Sequence, residues 1–133
     1  MSERTPRLLL VDDEPHIVKA LKVRLEASGF AVLVALNGDE ALTLAFAERP
    51  DLVILDLMLP TISGFEVCER LKRDPRSRDI PVIIYSGRGL VEEEERCRQL
   101  GAAAYVKKTD GSSSLLEHIR ALLSHDGDSP RPS

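Results

Sequence analysis

The chain is poor in cysteine: Cys68 and Cys97 stand alone among 133 residues, each in a segment that reads as a helix. Two thiols with no ligand-like spacing make neither a zinc site nor a disulfide framework, so both are expected to be reduced packing residues. Positive charge is not in excess either. Lys and Arg number 18 against 22 Asp and Glu, a formal net charge of −4, which offers no basic face for direct nucleic-acid contact. No apolar run approaches the ~20 residues that span a bilayer, so no membrane association is expected. The start, Met1-Ser2-Glu3-Arg4, lacks the apolar segment of a secretory signal, and the expected location is the cytoplasm. There is no internal repeat and no sign of a second domain.

What is present is an ordinary globular composition, 43% hydrophobic and 30% charged, at a length of about one domain. Strand-like and helix-like segments alternate five times. The strands are expected at Leu8–Val11, Ala31–Ala35, Leu52–Leu55, Val82–Tyr85 and Ala103–Val106. The helices are expected near Pro15–Ser28, Gly38–Glu48, Gly64–Arg73, Leu90–Leu100 and Ser112–Ser124. Leu115, Leu116, Ile119, Leu122 and Leu123 share one face of the last helix, as Ile17, Val18, Leu21 and Leu25 do in the first. Pro15 suits a first helical turn, and Asp13 is a possible cap. Strands separated by helices imply right-handed βαβ units and a parallel sheet. The fold class is therefore α/β: a doubly wound, flavodoxin-like sheet of five strands in the order 2-1-3-4-5. Residues 1–124 form the domain, and the polar stretch 125–133, with Gly127, Pro130 and Pro132, is expected to be disordered.

The sharpest feature is where the acids fall. Asp12-Asp13 follows Leu8-Leu9-Leu10-Val11, and Asp56 follows Leu52-Val53-Ile54-Leu55. In the order 2-1-3-4-5, strands 1 and 3 are neighbours where the winding reverses, and such folds place ligands at the carboxyl ends of those strands. Three carboxylates in one crevice repel one another unless a divalent cation sits among them. Strand 4 ends in Ser86, and strand 5 leads into Lys107-Lys108. This inventory suits phosphoryl transfer to a carboxylate. Asp56 would be the nucleophile, Mg²⁺ would be held by Asp13 with Asp12 assisting, and a lysine with the Ser86 hydroxyl would take the remaining oxygens. Singly, each residue has a plainer reading: a helix cap for Asp12 or Asp13, a solvated loop acid for Asp56, a core cover for Tyr105, a solvated pair for Lys107-Lys108. Jointly they point to one site. The run Glu92-Glu93-Glu94-Glu95 reads as a solvated helix face near a helix N-terminus. His16, His118 and His125 share no ligand spacing, and His16 is expected to be exposed.

These residues resemble the receiver domains of two-component response regulators, from about Leu8 to Leu123. Val11-Asp12-Asp13-Glu14 resembles that family's acidic pair after strand 1. Asp56-Leu57-Met58-Leu59-Pro60, with Gly64, resembles its phosphoacceptor strand and loop. Pro81 through Ser86 resembles the strand ending in a switch hydroxyl, and Gly101-Ala102 through Tyr105 and Lys108 the last strand. The resemblance implies that Asp56 is the phosphoacceptor and that Asp13 and Asp56 bind Mg²⁺ directly. The Met58 backbone carbonyl would help, and Asp12 would act through water. It implies Lys108, not Lys107, as the phosphoryl-binding lysine, since alternation along strand 5 separates the two. Ser86 and Tyr105 would form the switch. It further implies a histidine kinase or histidine phosphotransfer protein as donor, an unknown downstream protein partner, and a switch rather than an enzyme that turns over a substrate.

The chain departs from that pattern in three places. Thr109 stands where most members have a proline after the lysine, usually in a cis bond. A non-proline cis bond costs about 2.5–4 kcal/mol, and sequence leaves the isomer open. Met58 is apolar where some fast-hydrolysing relatives carry an amide, which implies a long-lived phosphoryl group. Ala103, Ala104 and His118 occupy places where regulators that dimerise through the helix 4–strand 5–helix 5 face carry acids and an arginine. That favours a stand-alone receiver docking this face on another protein; a receiver fragment of a larger regulator with a DNA-binding or enzymatic output domain is the alternative. Rivals from other classes fit less well. Aspartyl-nucleophile phosphatases of the haloacid dehalogenase type place Asp-x-Asp after the first strand and carry a cap. A flavin module wants glycines where this chain has Asp12-Asp13-Glu14-Pro15.

Overall fold

In the computed structural model, residues 4–128 are described. Strands β1 (Arg7–Val11), β2 (Ala31–Ala35), β3 (Leu52–Leu55), β4 (Val82–Ser86) and β5 (Ala104–Lys107) alternate with helices. These are α1 (Pro15–Ala27), α2 (Gly38–Glu48), α3 (Gly64–Arg73), α4 (Val91–Gln99) and α5 (Gly111–Asp128). The sheet is parallel, in the order β2-β1-β3-β4-β5. The three central strands are the three apolar runs, and the two edge strands are only partly covered. That contrast follows from burial on both faces in the middle of a parallel sheet.

Alternation divides the core in two. Leu9, Val11, Val53, Leu55, Val82 and Ile84 pack toward α2, α3 and α4. Leu8, Leu10, Leu52, Ile54 and Ile83 pack against Val18, Leu21 and Leu25 of α1 and Leu115, Leu116 and Ile119 of α5. The helix starts are locally encoded. Asn37 Oδ1 accepts from Glu40 N–H at 2.8 Å, and Ser63 Oγ accepts from Glu66 N–H at 3.2 Å, both side-chain caps on α2 and α3.

Two expectations change, and one open question closes. The N-cap of α1 is Glu14, and it is Asp12, not Asp13, whose side chain accepts from Glu14 N–H, at 2.9 Å. Asp13 is exposed, and Pro15 at the first helical position has no N–H to cap. Helix α5 runs to Asp128, four residues past the expected end at Ser124; the first residue that disfavours helix in its predecessor is Pro130. The rest of the expected tail lies outside the described residues. No cis peptide bond occurs among the described residues, so Lys108–Thr109 is trans, and the chain turns through a short 3₁₀ segment at Lys108–Asp110. Cys68 and Cys97 are free and buried. Burial lifts their thiols to about 11 and about 12, which makes both poor nucleophiles at neutral pH.

Candidate functional site

Sheet register builds the site. Val11 pairs with Leu55 across β1 and β3, so the residues that follow, Asp12 and Asp56, leave the sheet side by side. Asp56 N–H donates to Val11 O at 3.0 Å and Asp12 N–H to Ala35 O at 3.2 Å, which fixes both backbones at the carboxyl edge. Asp12, Asp13 and Asp56 offer oxygens that all lie within 4.8 Å of one another. Asp12 and Asp56 are buried and Asp13 is exposed.

Lys108 answers the acids. Its Nζ donates to Asp12 Oδ2 at 2.9 Å and to Asp56 Oδ2 at 3.4 Å. Lys107 points elsewhere and is exposed, its stem lying beside Gly89. Burial pulls the Lys108 ammonium down, but its bond to Asp12 and the charges of Asp56 and Asp12 outweigh that and leave it raised. Burial raises the Asp56 carboxyl; Lys108 opposes the rise and Asp12 adds to it. The Tyr85 ring lies under the ammonium, 5.9 Å from Nζ to its centroid, a weak cation–π support.

The loop after β3 is held tightly. Met58 N–H donates to Asp56 Oδ1 at 3.3 Å and Gly64 N–H to Leu57 O at 2.9 Å. A Cβ at Gly64 would overlap the Asp56 carbonyl and stand 2.6 Å from Leu57 Cα, so only glycine lets α3 approach the acid strand this closely. Thr61 takes φ 69° and Ile62 N–H donates to Pro60 O at 2.9 Å, a γ-turn with a β-branched residue at its strained centre.

Ser86 is fully buried, and its Oγ accepts from Arg88 N–H at 3.2 Å. Tyr105 is half-buried, and its hydroxyl donates to Glu93 Oε1 at 3.2 Å. Burial pushes its phenol up, with Ser86 opposing and Glu93 adding to the rise. Asp12, Asp13, Asp56, Met58 and Lys108 thus meet at one edge, while Ser86 ends the neighbouring strand β4 and Tyr105 stands on β5 with its hydroxyl on Glu93. Sequence reasoning missed three neighbours. Tyr85 was readable from alternation, since the residue before Ser86 faces the opposite way. Arg88 and Glu93 carried no separate signal. Glu93 also corrects the expected solvated run: it is 8% exposed and pairs with Arg88. His16 and His118 are exposed, and the side chain of His125 lies outside the described residues. No helix among the described residues is long and apolar enough to cross a membrane.

Solved structures with this architecture include signal receivers. The chain is similar to a CheY-like response regulator receiver domain protein from Methanospirillum hungatei, with TM-score 0.85 and 29% identity over 91% of this chain and 95% of that one. It is similar also to the signal receiver domain of a signal transduction histidine kinase from Syntrophus aciditrophicus, with TM-score 0.86 and 30% identity over 97% and 98%. Residues 8–120 match the family model of the response regulator receiver domain, and the chain belongs to that family. Among curated proteins it is 42% identical to the phosphate regulon transcriptional regulatory protein PhoB of Rhizobium meliloti, over 89% of this chain and 52% of that protein. It is 40% identical to the DNA-binding dual master transcriptional regulator RpaA of Synechocystis, over 89% and 49%. The chain thus spans about half the length of these relatives. It is 39% identical to the polar-differentiation response regulator DivK of Brucella anthropi, over 87% of this chain and 94% of that protein.

Proposed function

We propose that this receiver is a phosphorylation-controlled switch in which Asp56 is the phosphoacceptor. The observation that carries the reading is Lys108 Nζ set between Asp12 and Asp56, at 2.9 and 3.4 Å. A half-buried ammonium next to a buried nucleophile is placed to meet negative charge developing on a transferred PO₃. An Asp56 oxygen attacks phosphorus, the P–N bond to a donor phosphohistidine breaks with its electron pair left on the imidazole nitrogen, and that nitrogen takes a proton from solvent. The donor would be a histidine kinase or a histidine phosphotransfer protein. Ser86 would turn its hydroxyl toward the phosphoryl oxygens, with Tyr105 following it.

The all-oxygen donor set, three carboxylates within 4.8 Å, fits a hard divalent cation such as Mg²⁺. Asp13 and Asp56 would hold it with the Met58 carbonyl, and Asp12 through water. Bound there, it would supply positive charge for the phosphoryl oxygens. The signal would be read by a protein partner at the face made of α4, β5 and α5. Exposed Ala103 and His118 give that face no acid or arginine at the places where dimerising regulators have them. This supports docking on a different protein, whether the receiver stands alone or precedes an output domain. The test is incubation with Mg²⁺ and acetyl phosphate, followed by intact mass. A gain of one phosphoryl, stable in acid, labile in base and absent in Asp56→Asn, is expected. A blank spectrum at saturating donor, or equal labelling of the variant, overturns the reading.

A further inference from the structure

Three members of the run Glu92–Glu95 are exposed and Glu93 is buried. Its carboxylate is held from two other elements: Arg88 Nε lies 2.9 Å from Oε2, and the Tyr105 hydroxyl donates to Oε1 at 3.2 Å. Arg88 also reaches the acid pocket. Its backbone N–H donates to Ser86 Oγ at 3.2 Å, and its Nη1 stands 3.7 Å from Met58 Sδ. Met58 is the lip residue whose N–H donates to Asp56 Oδ1. One chain of contacts therefore runs from Asp56 through Met58, Arg88 and Glu93 to Tyr105.

We propose that Glu93 is a positioning residue that reports the charge at Asp56 to α4. While Arg88 neutralises it, Glu93 stays buried and holds the Tyr105 hydroxyl; when a phosphoryl group on Asp56 draws Arg88 away, Glu93 gives both up. This rests on the reading of Asp56 as phosphoacceptor. The asymmetry in solvation sets the direction. The Arg88 side chain is 49% exposed and that of Glu93 only 10%, so the arginine can swing at little cost. A buried carboxylate that loses its cation cannot stay buried. A phosphoryl group is a stronger partner for guanidinium than a single carboxylate, because it offers more charge and bidentate geometry. Released, Glu93 moves toward water, helped by repulsion from Glu92 and Glu94, and the first turn of α4 and the Tyr105 hydroxyl move with it.

Amide hydrogen exchange on the full chain tests this, read at Glu94, whose N–H donates to Leu90 O at 3.0 Å, and at the turn after it. Strand amides of β1 and β3 serve as the control for global unfolding. Without phosphodonor, Arg88→Ala should speed exchange in that turn at least about tenfold, and Arg88→Ala with Glu93→Gln should return it to the wild-type rate. With Mg²⁺ and acetyl phosphate, wild type should show the same acceleration. Glu93→Gln should take up the phosphoryl group and show none. A slow turn in Arg88→Ala, a fast one in the double variant, or full acceleration in phosphorylated Glu93→Gln overturns the coupling alone. Wild type that takes up no phosphoryl group overturns the phosphoacceptor reading and the coupling with it.

Discussion

Replacing Asp56 with Asn should make the cation-free protein more stable while abolishing its proposed chemistry. With oxygens within 4.8 Å, each carboxylate pair in the cluster repels by about 3.5 kcal/mol at an effective dielectric of ~20. Lys108, 3.4 Å from Asp56, returns about 5 kcal/mol at the same dielectric. Asp13 is exposed, and its share is largely screened. Repulsion and attraction therefore nearly cancel, and desolvation of the buried Asp56 charge decides the sign. The raised Asp56 carboxyl, with burial the largest cause, says that the fold disfavours the charged form. Asn keeps the shape, still accepts from Met58 N–H, and leaves Lys108 its 2.9 Å contact with Asp12. A gain of about 1–2 kcal/mol follows, or roughly 3–8 °C in Tm for a domain of this size.

The pH dependence carries a second signature. Because the folded value of Asp56 is raised, the folded state binds more protons than the unfolded state between the ordinary carboxylate value and the raised one. Its contribution is fully present below the ordinary value and is lost as pH rises through the raised value. Asp56→Asn should lack that falling leg. Mg²⁺ at tenfold its dissociation constant should add about 1.4 kcal/mol to wild type and clearly less to the variant. Thermal denaturation in chelated buffer, then with Mg²⁺, across pH 4 to 8, measures all of this. A destabilised Asp56→Asn, or equal gains from Mg²⁺ in both proteins, would refute the reasoning.

Lys108→Met should leave Asp12 and Asp56 buried without their cation, costing about 2 kcal/mol at neutral pH and slowing phosphorylation at least about a hundredfold. Since the Lys108 value is raised, its stabilisation is present below the ordinary lysine value and is lost as pH rises through the raised one; the difference between wild type and variant should shrink in alkaline denaturation curves. Met58 is 57% exposed and cannot orient water, so Met58→Asn should shorten the phosphoryl lifetime by at least about threefold, followed by loss of mass after donor removal; an unchanged or longer lifetime counts against it. Thr61→Gly should relieve the strain at φ 69°, about 1–3 kcal/mol. Against this stands about 0.5–1 kcal/mol of extra chain entropy, so the urea midpoint should rise modestly.

How far the sequence was legible depends on whether a residue's environment is local. The runs Leu8–Val11 and Leu52–Leu55 have no polar member, and Val82–Tyr85 has only the Tyr85 hydroxyl at its end, so they read as central strands, and the register that sets Asp12 beside Asp56 follows from parallel pairing. Lys108 could be separated from Lys107 because strand alternation is a local rule. Glu93 was not legible. In a run of four glutamates every member has the same chemistry, and which one is buried depends on Arg88 and Tyr105, from the loop after β4 and from β5. The same holds for Asp13, whose role as a cap looked plausible until Asp12 took the Glu14 N–H. The bond at Thr109 shows the converse. With threonine in place of proline the trans form is favoured by local cost alone. Lys108 nevertheless reaches both acids, because the 3₁₀ turn at Lys108–Asp110 redirects the chain after the lysine. The reach of that ammonium is therefore set by its place directly after β5, and a trans bond to threonine is compatible with it.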